Sequence, residues 1–367
     1  MITEEKLISY PEQYLISRGL AADSCVFFDI ETTGFKSSSS HLYLIGAALR
    51  VSKPDGNGIS QWKILQWLAQ RPQEETTLLR NFSDFIQSYD TLLHFNGNRF
   101  DIPYLEEKYE QYQIASPFGS LRSVDLYQDF RPLKALLKLD HMNQKSLEVF
   151  LGLERDDTYD GGRLIPIYRE YCKTDSDTYR KLLLLHNAED VSGMLTLTSM
   201  YSYVDFVQNE DWYPCAQLLT GKTGNKQLLL TFSLRFPVPV PVAASWDYGY
   251  LTLKNDIGKL MIPMSEGTLY YYFSDYKNYY YLPEEDQSIH KSVATYVDRE
   301  YRQIAKADNC YIKRHGTFLP QPAELFTPAF RRNFKDKIRW FSPEDRFFED
   351  QTQLSLYLNA LLKSLLS

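Results

Sequence analysis

Asp29 and Glu31 stand two residues apart in the run Asp29-Ile30-Glu31-Thr32-Thr33-Gly34, which follows the apolar stretch Cys25-Val26-Phe27-Phe28. Side chains alternate along a strand, so both carboxylates project from one face while Phe28 and Ile30 point into the opposite packing layer. Two carboxylates side by side at the end of a buried strand repel each other and lose hydration. A divalent cation is the natural compensation. Two further acids are placed to join them. Asp101 follows the apolar run Leu92-Leu93-His94-Phe95 and the turn Asn96-Gly97-Asn98-Arg99-Phe100. It stands where a helix is predicted to start, although helix capping is the ordinary use of an Asp there. Asp190 lies in His186-Asn187-Ala188-Glu189-Asp190-Val191, within a long helical stretch. His186, four residues earlier, shares its helix face. Asp125 reads as structural rather than as a ligand, Phe100 as core, and Asn96 and Asn98 as turn formers first and substrate contacts second.

The elements that must position these residues follow from periodicity. Residues 4–19 read as a short amphipathic helix interrupted at Pro11. From residue 24 the pattern is α/β, with strands over 25–31, 41–51 and 61–68 whose short polar connections suit antiparallel hairpins. Helical spacing through Leu78, Leu79, Phe82, Phe85 and Ile86 comes next. A strand over 91–95, a helix from Phe100, a strand over 123–126 and helices across 145–206 complete the region. Periodicity by itself supports an α/β fold with a mixed sheet.

Length and composition bound the remainder. A chain of 367 residues, 44% hydrophobic and 24% charged, suits a soluble protein of two domains. No apolar run approaches the roughly 18 residues needed to span a bilayer, and the acidic N-terminus is no secretory signal. Cys25, Cys172, Cys215 and Cys310 show no C-x-x-C spacing, which argues against a zinc site or disulfide framework and fits a reducing cytoplasm. The expected division is an N-terminal helical extension over 1–21, a first domain over 22–206, a polar linker over 207–225 and a smaller α+β domain of antiparallel strands over 226–367. The last has no assigned role, substrate binding being one option. Within it, Asn255-Asp256-Ile257-Gly258 and Asp275-Tyr276-Lys277-Asn278 supply turn chemistry. Pro237, Pro239 and Pro241 exclude a central strand, and a helix is expected over 343–366.

The net charge of -7 argues against a protein that coats nucleic acid, yet residues 299–339 hold ten basic and four acidic residues, a local +6. Over 330–341 cations alternate with aromatics, so Arg331, Arg332 and Lys335 could hold the phosphates of a single strand. The same stretch also reads as an amphipathic helix burying Phe330, Phe334, Ile338 and Phe341, and that reading is favoured for the rings.

Taken in order, Asp29-x-Glu31, Asn96-Gly-x-x-Phe100-Asp101 and His186-Asn187-x-x-Asp190-Val191 resemble the three exonuclease motifs of the DEDD superfamily of ribonuclease H-like 3′-5′ exonucleases. The most similar branch is the YprB-like ribonuclease H-like family, which Lys145-Ser146-Leu147-Glu148 and residues 152–162 also resemble. The resemblance covers residues 22–205. It implies a ribonuclease H-like mixed five-stranded sheet flanked by helices, with two Mg²⁺ or Mn²⁺ ions ligated by Asp29, Glu31 and Asp190 and one of them held by Asp101 through water. It also implies that His186 takes the proton from the attacking water. The implied activity is metal-dependent 3′-5′ hydrolysis of single-stranded DNA or RNA ends. Nucleic acid is then the partner, a helicase could feed it, and DNA repair is a fitting setting. One departure stands out. The histidine subclass places its base five residues before the last Asp, where this chain has Leu185, and His186 fills the slot of the tyrosine subclass. Two alternatives stay open: a non-catalytic nucleic-acid-binding or partner-docking module, disfavoured by the five intact positions, and an endonuclease on the same fold.

Overall fold

Ile2–Pro11 forms a strand, β1, so the helix expected over 4–19 is confined to the short α1, Gln13–Ser17. Every residue of β1 pairs antiparallel with a strand remote in sequence, from Ile2 opposite Leu68 to Pro11 opposite Ile59. That ladder outweighs the local helical pattern, which Pro11 would break in any case. The computed structural model describes residues 1–11, 13–157, 161–221 and 224–366. The chain divides into one unit of Met1–Phe206 with Val238–Val240, and a second of Val207–Pro237 with Pro241–Ser367.

In the first unit the elements continue as β2 Cys25–Thr32, β3 Leu42–Arg50, β4 Ile59–Leu68, α2 Glu75–Ile86, β5 Thr91–His94, α3 Asp101–Gln111, β6 Arg122–Asp125, α4 Leu126–Phe130, α5 Lys134–Leu137, α6 Gln144–Phe150, α7 Gly161–Thr174, α8 Asp177–Leu197 and α9 Tyr201–Gln208. The sheet order is β1-β4-β3-β2-β5-β6. β5 joins β2 and β6 in parallel, and the other pairs are antiparallel. Six strands stand where five were expected, the addition being β1.

β2 is apolar because both of its faces are covered. Val26, Phe28 and Ile30 pack with Leu78, Leu79, Phe82 and Ile86 of α2 and with Tyr104 and Leu105 of α3. On the opposite face of the sheet, Tyr43, Leu44 and Leu68 meet Leu164, Tyr168 and Tyr171 of α7 and Leu183 of α8. Full burial of one such side chain contributes about 1.5–3 kcal/mol, so these layers hold the ends of β2 and α8 against each other. One charged pair interrupts the first layer. Lys108 Nζ lies 2.9 Å from Glu75 Oε1, with both side chains almost wholly buried. Glu75 also accepts hydrogen bonds from the Leu42 N–H and the Tyr112 hydroxyl, both at 2.7 Å, and Lys108 donates to Ser40 O at 2.6 Å.

The second unit is built from β7 Cys215–Thr220, β8 Lys226–Trp246, β9 Gly249–Pro263, β10 Ser265–Tyr272, β11 Tyr279–Leu282, β12 Gln287–His290, β13 Gln303–Ile304, β14 Tyr311–Gln321 and β15 Arg339–Phe341, closed by α10 Gln351–Leu366. Strand β7 falls in the stretch expected as a linker, because it pairs antiparallel with Lys226–Thr231. The three prolines, expected to exclude a central strand, lie in β8, the middle strand of the order β7-β8-β9. The strand accommodates them because they stand beyond the Lys226–Thr231 stretch that pairs with β7, where that neighbour asks for no N–H donor. The turn expected at 255–258 is absorbed into β9: Asn255 takes a left-handed φ of 53°, which Asn tolerates, and the strand continues.

The helix expected over 330–341 is not formed. Asp336 accepts from the N–H groups of Arg332 (3.2 Å) and Ile338 (3.0 Å), and Asn333 from that of Lys335 (3.0 Å). Such side-chain-to-backbone bonds compete with helix. The chain reverses instead, and Phe330 pairs with Trp340. Phe330, Trp340 and Phe341 are buried while Phe334 is exposed, so the four-residue apolar spacing describes no common face. Among the described residues no helix is long and apolar enough to cross a membrane.

Candidate metal centre

β2 sets Asp29 opposite Gly46 of β3 and Glu31 opposite Leu44. Helix α8 crosses this face. Its Asn187 donates from Nδ2 to Asp29 Oδ2 at 3.0 Å, and Gln66 of β4 donates to both Asn187 Oδ1 and Leu184 O at 2.9 Å. A Cβ at position 46 would lie 2.0 Å from Asn187 Oδ1, so glycine is what lets α8 approach the sheet. Gly46→Ala is expected to lever α8 away, costing about 1–3 kcal/mol as other overpacked cores do. Thermal unfolding checks this, and an unchanged melting temperature would mean that Asn187 can swing aside freely.

Asp101 opens α3 as its first helical residue, with Phe100 at the cap position, so it is not spent on capping. The preceding loop is held rigidly. Asn96 adopts φ 64° and donates its N–H to Asp125 Oδ1 at 2.8 Å. The Gly97 N–H donates to His94 Nδ1 at 3.0 Å, which leaves the proton of His94 on Nε2, 2.7 Å from Ser123 Oγ. Ser123 passes the chain on to Asn98 Oδ1 at 2.6 Å. Burial pushes the His94 imidazole down to about 4, so it stays neutral. Asn96 and Asn98 are thereby engaged in the turn, and Asp125 caps α4 by accepting from the Tyr127 N–H.

His186 is 4% exposed and reaches three carboxylates. Its Nε2 stands 3.1 Å from Asp190 Oδ2 and 3.4 Å from Glu31 Oε1, and its Nδ1 stands 2.6 Å from Asp157 Oδ2. One ligand atom each from Glu31, His186 and Asp190 can be chosen so that all lie within 4.8 Å of one another. The other oxygen of Asp190 is taken by Arg155 Nη1 at 2.6 Å, and Arg155 is itself gripped by Glu148 of α6 through Nε at 2.5 Å and Nη2 at 2.7 Å. Gln144 Nε2 adds a bond to Asp190 O at 2.8 Å.

Sequence reasoning missed Arg155 and Asp157 and gave Glu148 and Asn187 no role. Their partners are tertiary, so no spacing announces them. The one available signal was an arginine set among Glu154, Asp156 and Asp157 in a loop.

Burial is the first cause that pushes the Asp29 carboxyl well above the ordinary range, followed by the charges of Asp190, Glu31 and Asp101, against the hydrogen bond from Asn187. Glu31 is raised likewise by burial and by Asp190, Asp101 and Asp157. Asp101 is pushed up to about 7 by burial, with Asp125 and Asp190 adding and backbone hydrogen bonds opposing. Carboxylates that resist ionising near neutral pH are the groups a divalent cation would relieve.

A cleft of about 510 Å³ adjoins this cluster at Gln144, lined also by Phe95, Asn96, Arg99, Tyr127 and Lys145. Phe35, 91% exposed just past the Thr-Thr-Gly turn, meets Phe100 edge to face. In the second unit Arg332 and Lys335 are exposed and Arg331 is half-buried, with the Arg332 guanidinium 4.5 Å over the Trp340 ring.

A family model described as RNase H superfamily matches residues 26–202, a span that contains Asp29, Glu31, Asp101, His186 and Asp190. The fold is ribonuclease H-like. No curated protein matches the chain. Among solved structures, the family B DNA polymerase of the hyperthermophilic archaeon Pyrobaculum calidifontis is similar at 16% identity and a TM-score of 0.36, over 50% of this chain. The chain spans 25% of that polymerase.

Proposed function

We propose that the protein is a metal-dependent nuclease of the DEDD type, similar to the YprB-like branch, that shortens single-stranded DNA or RNA from the 3′ end. The supporting observation is the convergence of Asp29 and Glu31 from β2, Asp101 from α3 and Asp190 from α8 on one largely buried spot, where burial and the neighbouring charges, that of Asp190 among them, raise the proton affinity of Asp29, Glu31 and Asp101. Asp29, Glu31 and Asp190 are the direct ligands, and Asp101 acts through water. Two Mg²⁺ or Mn²⁺ ions held there would activate a water and stabilise the leaving 3′-oxygen. Arg99 and Lys145 in the adjoining cleft would take backbone phosphates, and Phe95, Tyr127 and the exposed Phe35 would meet bases. Arg331, Arg332 and Lys335 are the corresponding phosphate contacts of the second unit. A site that takes single strands needs duplex opened for it, which is work for a helicase, as in DNA repair. Four free cysteines suit a reducing cytoplasm.

A panel of single- and double-stranded DNA and RNA, with either end blocked and with or without EDTA, tests the reading. Stepwise shortening from a free 3′ end with Mg²⁺ or Mn²⁺, stopped by EDTA, is expected. Internal cuts would make it an endonuclease, and no cleavage of any substrate would make it a binding module.

A further inference from the structure

We infer that the second unit holds a pocket of its own for one unpaired base of a single strand together with a phosphate. The inference rests on the nucleic-acid reading above and deepens it.

A cavity of about 410 Å³ is lined by Tyr271 and Tyr272 at the end of β10, by Tyr276, by Arg331 and Phe334 of the turn after Phe330, and by Arg339 at the start of β15. Sites for small ligands usually measure about 300–1,000 Å³. The frame is fixed by the backbone. Arg331 and Tyr270 exchange main-chain hydrogen bonds at 2.8 and 2.9 Å, and Asn333 and Asp336 tie the turn that presents Phe334. The Phe334 ring is 40% exposed and meets Tyr272 edge to face at 5.4 Å. Phe330, Trp340 and Phe341 are buried. The turn thus holds rigid the one ring that the core does not use.

The cations beside these rings are open to a ligand. Arg339 faces Glu324 at 3.8 Å, beyond hydrogen-bond distance, and Arg331 donates from Nη1 to Phe334 O at 3.3 Å. Among the described residues no other hydrogen bond engages either guanidinium, and each carries five N–H donors. Rings take the face of a base by stacking, and a guanidinium matches the oxygens of a phosphate. Glu324, which also lines the cavity, separates this ligand from other anions. Its carboxylate accepts from the N–H edge of a base, as such groups accept from cytosine N4. It repels an acidic peptide, and the ring of a phosphotyrosine offers it no N–H. The ten basic residues against four acidic ones over 299–339 attract a phosphate backbone to this face.

The test uses the full chain in EDTA, and again with Ca²⁺, with single-stranded DNA and RNA carrying 5-iodouracil at one position. Light joins such a base to an aromatic ring stacked on it, mass spectrometry locates the ring, and fluorescence anisotropy reads affinity. Wild-type protein is expected to cross-link at Tyr271, Tyr272, Tyr276 or Phe334. Phe334→Ala should weaken binding about 5–100-fold, the scale of one stacked base. Arg339→Gln should lower the slope of log affinity against log salt by about 0.7, the loss of one phosphate contact. A strand that binds without cross-linking to these rings overturns the pocket and leaves the nuclease reading standing. A phosphotyrosyl peptide that binds more tightly than the strand, and loses its affinity in Phe334→Ala, also overturns it, in favour of a protein partner. No binding of either strand under either condition overturns both readings. The wild-type cross-link decides even where a variant fails to fold.

Discussion

Asp29→Asn is expected to abolish metal-dependent hydrolysis while making the metal-free protein more stable at neutral pH. The loss should be at least about 10²–10³-fold, the scale on which one preorganised electrostatic contact matters in catalysis. The gain follows from the direction of the proton affinities. Asp29, Glu31 and Asp101 hold their protons in the folded chain to higher pH than in the unfolded chain, Asp101 to about 7. Their stabilising contribution is therefore complete below the ordinary carboxylate range near 4 and is lost as pH rises through the folded values. Metal-free wild type should melt at progressively lower temperature between about pH 4 and pH 8, and Mn²⁺ should restore it at the upper end. Asn at position 29 keeps a group that can accept from Asn187 and removes one charge, so its slope should be shallower. Melting curves across that range, with and without Mn²⁺, measure both effects. A wild-type stability that rises with pH in the absence of metal would sink the electrostatic account.

Lys108→Ala carries the largest expected cost to folding. Its ammonium is the cation of an almost wholly buried carboxylate, and among the described residues Glu75 would keep the Leu42 N–H, the Tyr112 hydroxyl and partly exposed His41. Removing one partner of a buried pair typically costs about 3–5 kcal/mol because the other charge is stranded. Replacing both, as Glu75→Leu with Lys108→Leu, should recover most of that. Urea unfolding distinguishes the cases, and a loss of under about 1 kcal/mol for the single change would put the pair in the class of solvated ion pairs.

The grouping of acidic side chains in the first unit was legible where it depends on short spacings. Asp29 and Glu31 share a strand face, and His186 and Asp190 share a helix face, so neither pairing needs knowledge of the fold. Asp101 was legible as the residue after a strand end. The supports of those groups were not, because Arg155 and Asp157 sit in a loop about thirty residues from the α8 positions they touch. In the second unit, apolar residues four apart suggested a helix over 330–341, but Asn333 and Asp336 bind their neighbours' N–H groups and turn the chain back. The amphipathic pattern read as a helix over residues 4–19 misled similarly, since the partner that makes residues 2–11 a strand is remote in sequence.

Strand β1 also protects the chain from itself. Beneath it, β4 reads Ile-Ser-Gln-Trp-Lys-Ile-Leu-Gln-Trp-Leu, with Lys63 its only charge, and Glu5 engages that lysine at 2.9 Å. Bare, such a strand would offer ten residues of unpaired backbone to any neighbouring molecule, the usual template for aggregation. By occupying that edge, β1 exchanges it for one bearing Glu4, Glu5 and Lys6, which discourages another strand from adding. The ten residues farthest along the sheet from Asp101 thus act as a solubility guard for the ribonuclease H-like unit.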